Sequence, residues 1–371
     1  MMNGASWPSA SNPRLGLIGN PENRRIRDFQ AAAVALGFLR PPCLSYEELL
    51  HDLGALARFD VDVIRIDSPG ENERVGRGLI ALGGGPENAR LAFGEIGFHR
   101  EYYAGFCRVL KWIEERSIPC LNSPADIAVM FDKWKCHQRF HEAGVARPMA
   151  ELAPPDFGEL RDRMRRDGSG RLFLKPLHGS SASGVCALRW TPRHQQLTAA
   201  LRLESDAGRS ILVNSLKVRT YTTMVDLELI LDRLLPQGMI CEKWIPKLTL
   251  PDGAVDLRVL VIAGEARHWV IRQSRHPMTN LHLGNRRADE SALLDCMGSE
   301  RLAEAFVLAE RAAACFPDSL YAGVDVLIDA RHRAYVGEIN AFGDLLPRLL
   351  HRGESAYAAI VKACHDRGCL V

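Results

Sequence analysis

The segment Gly323-Val-Asp-Val-Leu-Ile-Asp-Ala-Arg-His-Arg-Ala-Tyr-Val-Gly-Glu-Ile-Asn340 alternates apolar and polar residues on both sides of a short polar stretch, which is the pattern of a β-hairpin. Val324, Val326 and Ile328 fall on one face of the first arm, and Tyr335 and Ile339 on one face of the second, with Ala330 to Arg333 as the turn. If the hairpin closes symmetrically about Arg331 and His332, Asp325 stands opposite Glu338, and Asn340, two residues on, points the same way. Two carboxylates so placed repel unless a cation lies between them. Magnesium takes oxygen ligands, typically one or two carboxylates together with substrate phosphates, so Asp325, Glu338 and Asn340 are candidate metal ligands. A solvent-facing acidic hairpin is the plain alternative.

A chain of 371 residues exceeds one ordinary core and predicts two or three subdomains. Hydrophobic residues at 47% and charged residues at 25% exclude a disordered, fibrous or membrane-embedded chain. No apolar run reaches membrane-spanning length, and Met1 to Pro13 is polar without a signal-peptide core, so a cytoplasmic protein with no membrane partner is expected. A net charge of +2 gives no global reason to bind nucleic acid; the arginines at Arg24-Arg25, Arg161 to Arg166 and Arg286-Arg287 read as solvated faces or loops. Ten cysteines without a C-x-x-C pair indicate reduced thiols rather than zinc or disulfides.

The N-terminal part reads as α/β. A buried strand from Arg14 to Asn20 leads into a helix over Arg25 to Leu36, a second strand covers Val61 to Ile66, and a long helix covers Tyr102 to Glu115. Strands alternating with helices predict an open, mostly parallel sheet with ligand loops at the strand ends, and the lack of G-x-G-x-x-G argues against a dinucleotide there. One helix is expected from Pro124 to just before Gly144, carrying Asp132-Lys133. Strands around a glycine-serine loop follow, then a helix from Val225 to Leu235, strands at Asp256 to Ile262 and His268 to Gln273, a loop to Asp289, a helix from about Ser299 to Cys315, the hairpin, and a last helix after Glu354.

Several short patterns carry chemistry. Phe173-Leu-Lys175-Pro-Leu-His-Gly179-Ser-Ser-Ala-Ser-Gly184-Val185 puts a lysine at a strand end and follows it with a loop whose backbone N–H groups can wrap phosphates. The lysine precedes the loop and no G-K-[ST] follows, so it is not a Walker A motif; a flexible surface turn is the alternative. Ile240-Cys-Glu242-Lys-Trp-Ile245 reads as a short strand able to pair its backbone with an adenine edge, or as a plain edge strand. Asp256-Leu-Arg258, Arg272 and Thr279-Asn280-Leu-His282 add cations and an amide, and arginine forks neutralise phosphate charge.

Taken in order, Lys133, the Lys175 loop, Glu242 to Ile245, Asp256 to Arg258, Arg272, Asn280 and the hairpin ligands resemble the ATP-grasp superfamily over about residues 126 to 350. The runs Asp-Leu-Arg-Val-Leu-Val-Ile-Ala-Gly and Thr-Asn-Leu-His-Leu-Gly are similar to its glutathione-synthetase and ribosomal-protein glutamate ligase branch. They are closer still to a bacterial ATP-grasp family often encoded beside radical-SAM proteins. The resemblance implies an N-terminal α/β, substrate-side domain over 1–125, a lid subdomain over 126–245 and a metal-binding subdomain over 246–371. It also implies ATP with Mg2+, or Mn2+ in its place, and ADP-forming union of a small-molecule or peptide carboxylate with an amine. A homodimer is in keeping with it.

By the same resemblance, Lys133 and Lys175 contact the α- and β-phosphates, and Gly179, Ser180, Ser181, Ser183, Gly184 and Val185 close over the triphosphate. Glu242, Lys243 and Ile245 bracket adenine, Arg258 and Arg272 serve the γ-phosphoryl group with Asn280 beside them, and Asp325, Glu338 and Asn340 hold the metal. The family often has a ribose-binding carboxylate just after the hinge; here Lys247 is the nearby charge and Asp252 the substitute. Asn20, Glu71, Arg65, Arg100 and Arg275 are expected at the substrate, arginine being the usual carboxylate fork. A phosphotransferase of the same fold is the alternative activity, and a non-catalytic ATP-binding protein the third.

Overall fold

The computed structural model describes residues 13–87, 94–179, 182–206, 209–343 and 349–370, and three layers follow one another along the chain. The first contains β1 (Leu15–Gly19), α1 (Arg24–Ala35), β2 (Cys43–Ser45), the short helices α2 (Tyr46–His51) and α3 (Gly54–Arg58), β3 (Val63–Ile66), α4 (Glu73–Leu82) and α5 (His99–Glu115). All five residues of β1 are buried, as its continuous apolar run requires of a central parallel strand, and the sheet order is β2-β1-β3, all parallel. Helices α4 and α5 approach so closely that a Cβ on Gly105 would lie 1.9 Å from the carbonyl oxygen of Leu79.

Two helices, α6 (Pro124–Met130) and α7 (Lys133–Glu142), replace the single one expected from Pro124. The break is chemical: Asp132 turns out of the helix and its carboxylate accepts from the backbone N–H groups of Trp134 and Lys135, capping α7. Lys133 therefore opens a helix rather than sitting within one.

The second layer holds β4 (Ala150–Leu152), α8 (Phe157–Arg166), β5 (Arg171–Pro176), β6 (Cys186–Thr191), β7 (His194–Asp206), β8 (Arg209–Tyr221), α9 (Met224–Leu234) and β9 (Met239–Lys243). Its antiparallel sheet runs β4-β9-β5-β6-β7-β8. Leu160 of α8 and Ile230 of α9 pack with Leu174, Cys186 and Leu188 on one face of that sheet. The other face carries Phe173 and Lys175 toward a cleft.

The third layer holds β10 (Thr249–Leu250), β11 (Gly253–Ile262), β12 (Glu265–Ser274), β13 (Arg286–Arg287), α10 (Glu290–Ala314), β14 (Tyr321–Ile328), β15 (Ala334–Asn340) and α11 (Ala356–Asp366), with sheet order β13-β12-β11-β14-β15 and β10 on β11. Two helical stretches meet within α10 at Gly298, whose φ of 79° and ψ of 159° are not helical: the second begins at the expected Ser299, and the first, outside the expected elements, opens at Glu290 with Asp289 capping it by accepting from Ser291 N–H. Asn122 fastens the first layer to the third, donating through Nδ2 to the carbonyls of Tyr321 at 2.9 Å and Ala341 at 2.8 Å.

The hairpin closes with Asp325 opposite Glu338 and Gly323 opposite Asn340, by a route the symmetric reading missed. Nearer the turn Val326 pairs with Val336 and Leu327 with Tyr335, so Gly337 is the extra residue of a β-bulge. Asp329 Oδ1 tightens the turn by accepting from Arg331 N–H at 2.8 Å and Arg333 N–H at 2.9 Å. In consequence Val336, not Tyr335, shares the buried face with Ile339. Among the described residues no helix is long and apolar enough to cross a membrane.

Candidate active site

Between the second and third layers lies a cavity of about 630 Å³. Its floor is the polar face of β11, β12, β14 and β15, where strand register brings charges together. Asp256 pairs across strands with Arg272, Arg258 with Asp325, and Asp325 with Glu338. Alternate residues Leu257, Val259, Ile271, Val324, Val326 and Ile339 point to the opposite, buried face. The two-residue period thus fixes both the core and the site.

The charges interlock. Asp325 Oδ1 lies 2.5 Å from Arg258 Nε and 3.2 Å from Arg272 Nη2. Arg272 Nε also meets Asp256 Oδ1 at 2.8 Å, while Lys247 Nζ donates to Asp256 Oδ2 and Thr279 Oγ1, both at 2.8 Å. Thr279 in turn donates to Asp256. Burial alone would raise the Asp256 pKa, but Arg272 and Lys247 outweigh it and hold the carboxyl far below its ordinary range. Burial lowers the pKa of Lys247, with Asp256 offsetting part of that shift.

The opposite wall answers with lysines. Lys175 Nζ lies 2.7 Å from Glu242 Oε2 and donates to the Gly337 carbonyl at 3.0 Å, which places it at the bulge between the candidate metal ligands. Lys133 Nζ bridges Glu338 Oε1 at 3.2 Å and the Gly179 carbonyl at 2.6 Å. Burial pushes the Glu242 carboxyl up, and Lys175 and His137, the latter with Nε2 at 3.1 Å, pull it below the usual range. Glu338 is likewise raised by burial and lowered further by Lys133, Lys175 and Arg258. Among the described residues nine lysines and arginines line this cleft against five carboxylates, which leaves it open to an anionic ligand.

The cleft also collects Gly179, Ser183, Val185, Lys243, Ile245, Asn280, Asn340 and Arg275 from the expected set. Gly184 is buried at its edge, with φ 67° and a hypothetical Cβ only 2.9 Å from Pro176, so glycine is needed where the loop folds back on β5. Ser180 and Ser181 lie outside the described residues.

Other expected residues lie elsewhere. Arg65 is fully buried, ion-paired with Asp67 at 2.9 Å, and presents nothing to a substrate. Asn20 is buried and spends its amide on the carbonyls of Pro69 and Gly70; Glu71 accepts from Asn23 at the surface. Arg100 is exposed and packs beside Gly238.

His137 is absent from the expected set, and Asp256 and Lys247, though named with it, have no expected role in the charge array. Asp256 shares a strand face with Arg258 and Lys247 lies nine positions before it, whereas His137 is drawn in by Glu242, 105 positions along the chain.

Oxygen donors Asp325, Glu338 and Asn340 sit together on the floor, and Asn340 Nδ2 is buried without a hydrogen-bond partner among the described residues. Two carboxylates and an amide suit a hard cation that also takes phosphate oxygens. Among the described residues no cluster of three His, Cys, Asp or Glu is present, so the arrangement differs from an all-protein cage for a metal.

No family model matches the chain. A protein named "Probable alpha-L-glutamate ligase" of Mannheimia succiniciproducens is 37% identical over 81 residues, 21% of this chain and 26% of that protein. One of the same name from Pasteurella multocida is 32% identical over 106 residues, 29% of this chain and 32% of that protein. The chain thus matches about a quarter to a third of the length of these relatives.

Solved structures match along nearly the whole length. D-cycloserine synthetase DcsG superposes with a TM-score of 0.57 at 15% identity, covering 95% of this chain and 99% of that one. The ATP-grasp ligase PsnB, complexed with a phosphomimetic variant of minimal precursor, Mg and ADP, gives 0.53 at 16% identity over 96% and 99%. A RimK domain protein ATP-grasp from Sphaerobacter thermophilus gives 0.54 at 13% identity over 94% and 98%. The chain has the ATP-grasp fold.

Proposed function

We propose that the chain is an ADP-forming, ATP- and magnesium-dependent carboxylate–amine ligase. The observation that carries this reading is the register of the floor: Asp325 lies between Arg258 and Arg272 and opposite Glu338, with Lys133 and Lys175 reaching the same point from the other wall. The names of the partial-length relatives agree with it.

Lys133 and Lys175 would hold the α- and β-phosphates, and the backbone from Gly179 to Val185 would close over them. The hinge from Glu242 to Ile245 would take the adenine edge, with Glu242 kept ionised by Lys175 and His137 so that Lys175 stays in place. Asp325, Glu338 and Asn340 would hold magnesium, or manganese with the same oxygen preference, and the ion would neutralise triphosphate charge. Arg258 and Arg272 would stabilise the phosphoryl group as it passes to a substrate carboxylate, with Asn280 near them and Arg275 at the substrate side. The acylphosphate then meets an amine, the C–O bond to phosphate breaks as the C–N bond forms, and ADP and phosphate leave. Positioning and fixed charge suffice for such a transfer, so no protein nucleophile is required.

On this reading residues 1–125 serve the substrate, 126–245 form the lid and 246–371 carry the metal. Ten unpaired cysteines agree with a reducing, cytoplasmic setting. Sedimentation would check the expected homodimer.

Amino acids, peptides and small carboxylates, alone and in pairs, should be screened for stimulated ADP release with mass spectrometry of products. A condensed product that needs both acid and amine supports ligation. A stable phosphorylated acceptor formed from one substrate would replace it with phosphotransfer, and nucleotide binding without turnover on any acceptor would reject both.

A further inference from the structure

The residue immediately before the glycine-serine loop has no part in the functional reading, yet it is held from two sides. The His178 imidazole stacks on Tyr103 of α5, ring centroids 3.9 Å apart and planes within 8°. Its Nε2 lies 3.2 Å from Asp132 Oδ2. The His178 and Asp132 side chains are only 10% and 11% exposed. Tyr103 is fixed in turn, its hydroxyl donating to the Ala128 carbonyl at 2.9 Å and accepting from Lys135 Nζ at 3.3 Å.

Asp132 therefore does two things. One oxygen caps α7, whose first residue is Lys133; the other holds the ring from which the loop departs. The backbone repeats the connection, since Lys133 N–H donates to the Leu177 carbonyl at 3.0 Å and Lys133 Nζ to that of Gly179 at 2.6 Å. The strand end, the helix start and the phosphate-facing lysine are fastened at one point.

A backbone fixed before a ligand arrives loses less freedom on binding, and Leu177 to Gly179 is fixed here. Stacking alone would be met by any flat ring. The buried carboxylate of Asp132 additionally requires a donor, which the imidazole supplies through Nε2. His178 Nδ1 is buried without a partner among the described residues, which leaves Nε2 as the nitrogen whose bond holds the ring.

We propose that His178 is a positioning residue for the nucleotide: through Asp132 it ties the backbone from Leu177 to Gly179 to Lys133, so that this backbone and the lysine meet the phosphates as one unit. This rests on reading the cleft as an ATP site and is indifferent to whether the product is an amide or a phosphate ester.

The test is calorimetric titration of the full chain with ADP in excess magnesium, beside thermal melting. His178→Phe keeps the ring stack and removes the donor, and should raise the ADP Kd about tenfold, the scale of one hydrogen bond to a charged group. His178→Gln restores an N–H donor at about the reach of Nε2 and should return the Kd to within about threefold of native, the two variants melting within about 4 °C of each other. Native-like binding by His178→Phe would overturn the inference, as would equal weakening in both variants, which would leave only a packing role. A native protein that binds no ADP would overturn the nucleotide reading and this inference with it.

Discussion

Two arginines lie on buried strands beside aspartates, and their surroundings part them. Arg65 in β3 is wholly enclosed: Asp67 pairs with it at 2.9 Å, the Phe29 ring lies 4.5 Å from its guanidinium and the Tyr321 ring 5.9 Å. Asp67 is also met by Arg25 at 3.1 Å. Arg272 in β12 is almost as buried, at 6%, but beyond Asp256 it reaches a second carboxylate, Asp325, and lines a cavity. Aromatic rings complete the first cluster; an open cleft and spare cations complete the second. Residue type and pairing alone do not separate a strut from a site, whereas the unfilled side of the pair does.

Removing the strut should have the largest effect, and on stability. Arg65→Met leaves Asp67 with less cationic compensation in an enclosed place, so urea unfolding should show a loss of about 3–5 kcal/mol. The ADP affinity of the folded protein should stay native. Unchanged stability with lost nucleotide binding would reverse the assignment of the two clusters.

Next in size is the site. Asp325→Asn should lower magnesium-dependent ATP turnover by about 10²–10³-fold, the scale of losing one fixed electrostatic group in a closed site, with circular dichroism unchanged. Turnover at the native rate would remove Asp325 from the chemistry.

This contrast shows what could be read from the sequence. Symmetric closure about Arg331 and His332 sets Asp325 opposite Glu338, and the pair stands although Gly337 shifts the register by one residue nearer the turn. Strand alternation made Arg65 look available, because Val-Ile-Arg-Ile gives no sign that Tyr321, 256 positions away in the chain, closes over it. Asp132 was read as the middle of a helix although aspartate before a helical run is a capping signal. Lys247 and Thr279 come from loops, where spacing says nothing of direction. Local pattern predicts faces; it does not predict what covers them.

Acid should distinguish the clusters more gently. The folded pKa of Asp256 is depressed below its unfolded value, so between the two values the unfolded chain binds the extra proton and stability rises with pH. The contribution is complete above the ordinary carboxylate range and is lost as pH falls below about 4. Asp256→Asn should flatten that acid limb by up to about 1.4 kcal/mol per pH unit, measured as unfolding free energy against pH. An unchanged slope would mean that Asp256 does not carry the linkage.

Smaller again, if the cleft takes a nucleotide as proposed, Lys175→Ala should raise the Kd for ADP about tenfold, the scale of one charge-assisted contact. Burial lowers the Lys175 pKa, and Glu242 with Glu338 and Asp325 more than restores it, so the lysine is charged. The double variant Lys133→Ala/Lys175→Ala would test independence: losses that multiply indicate separate phosphate contacts, and a smaller combined loss indicates a shared one.

The least effect is expected at Arg275, which follows β12 and stands exposed at the cleft. No carboxylate lies within 4 Å of it among the described residues, in contrast to Arg258 and Arg272. Water screens an exposed guanidinium, and such a pair contributes on the order of 0.2–1 kcal/mol, so Arg275→Gln should raise the KM for the acid substrate only about two- to fivefold at saturating ATP. The kcat and the ADP Kd should not move, because the change lies outside the ion-paired array on the cleft floor. A fall in kcat would draw Arg275 into that array and extend the open cluster to the cleft mouth; an unchanged KM for every acid tried would confine the cluster to the cations already paired on the floor.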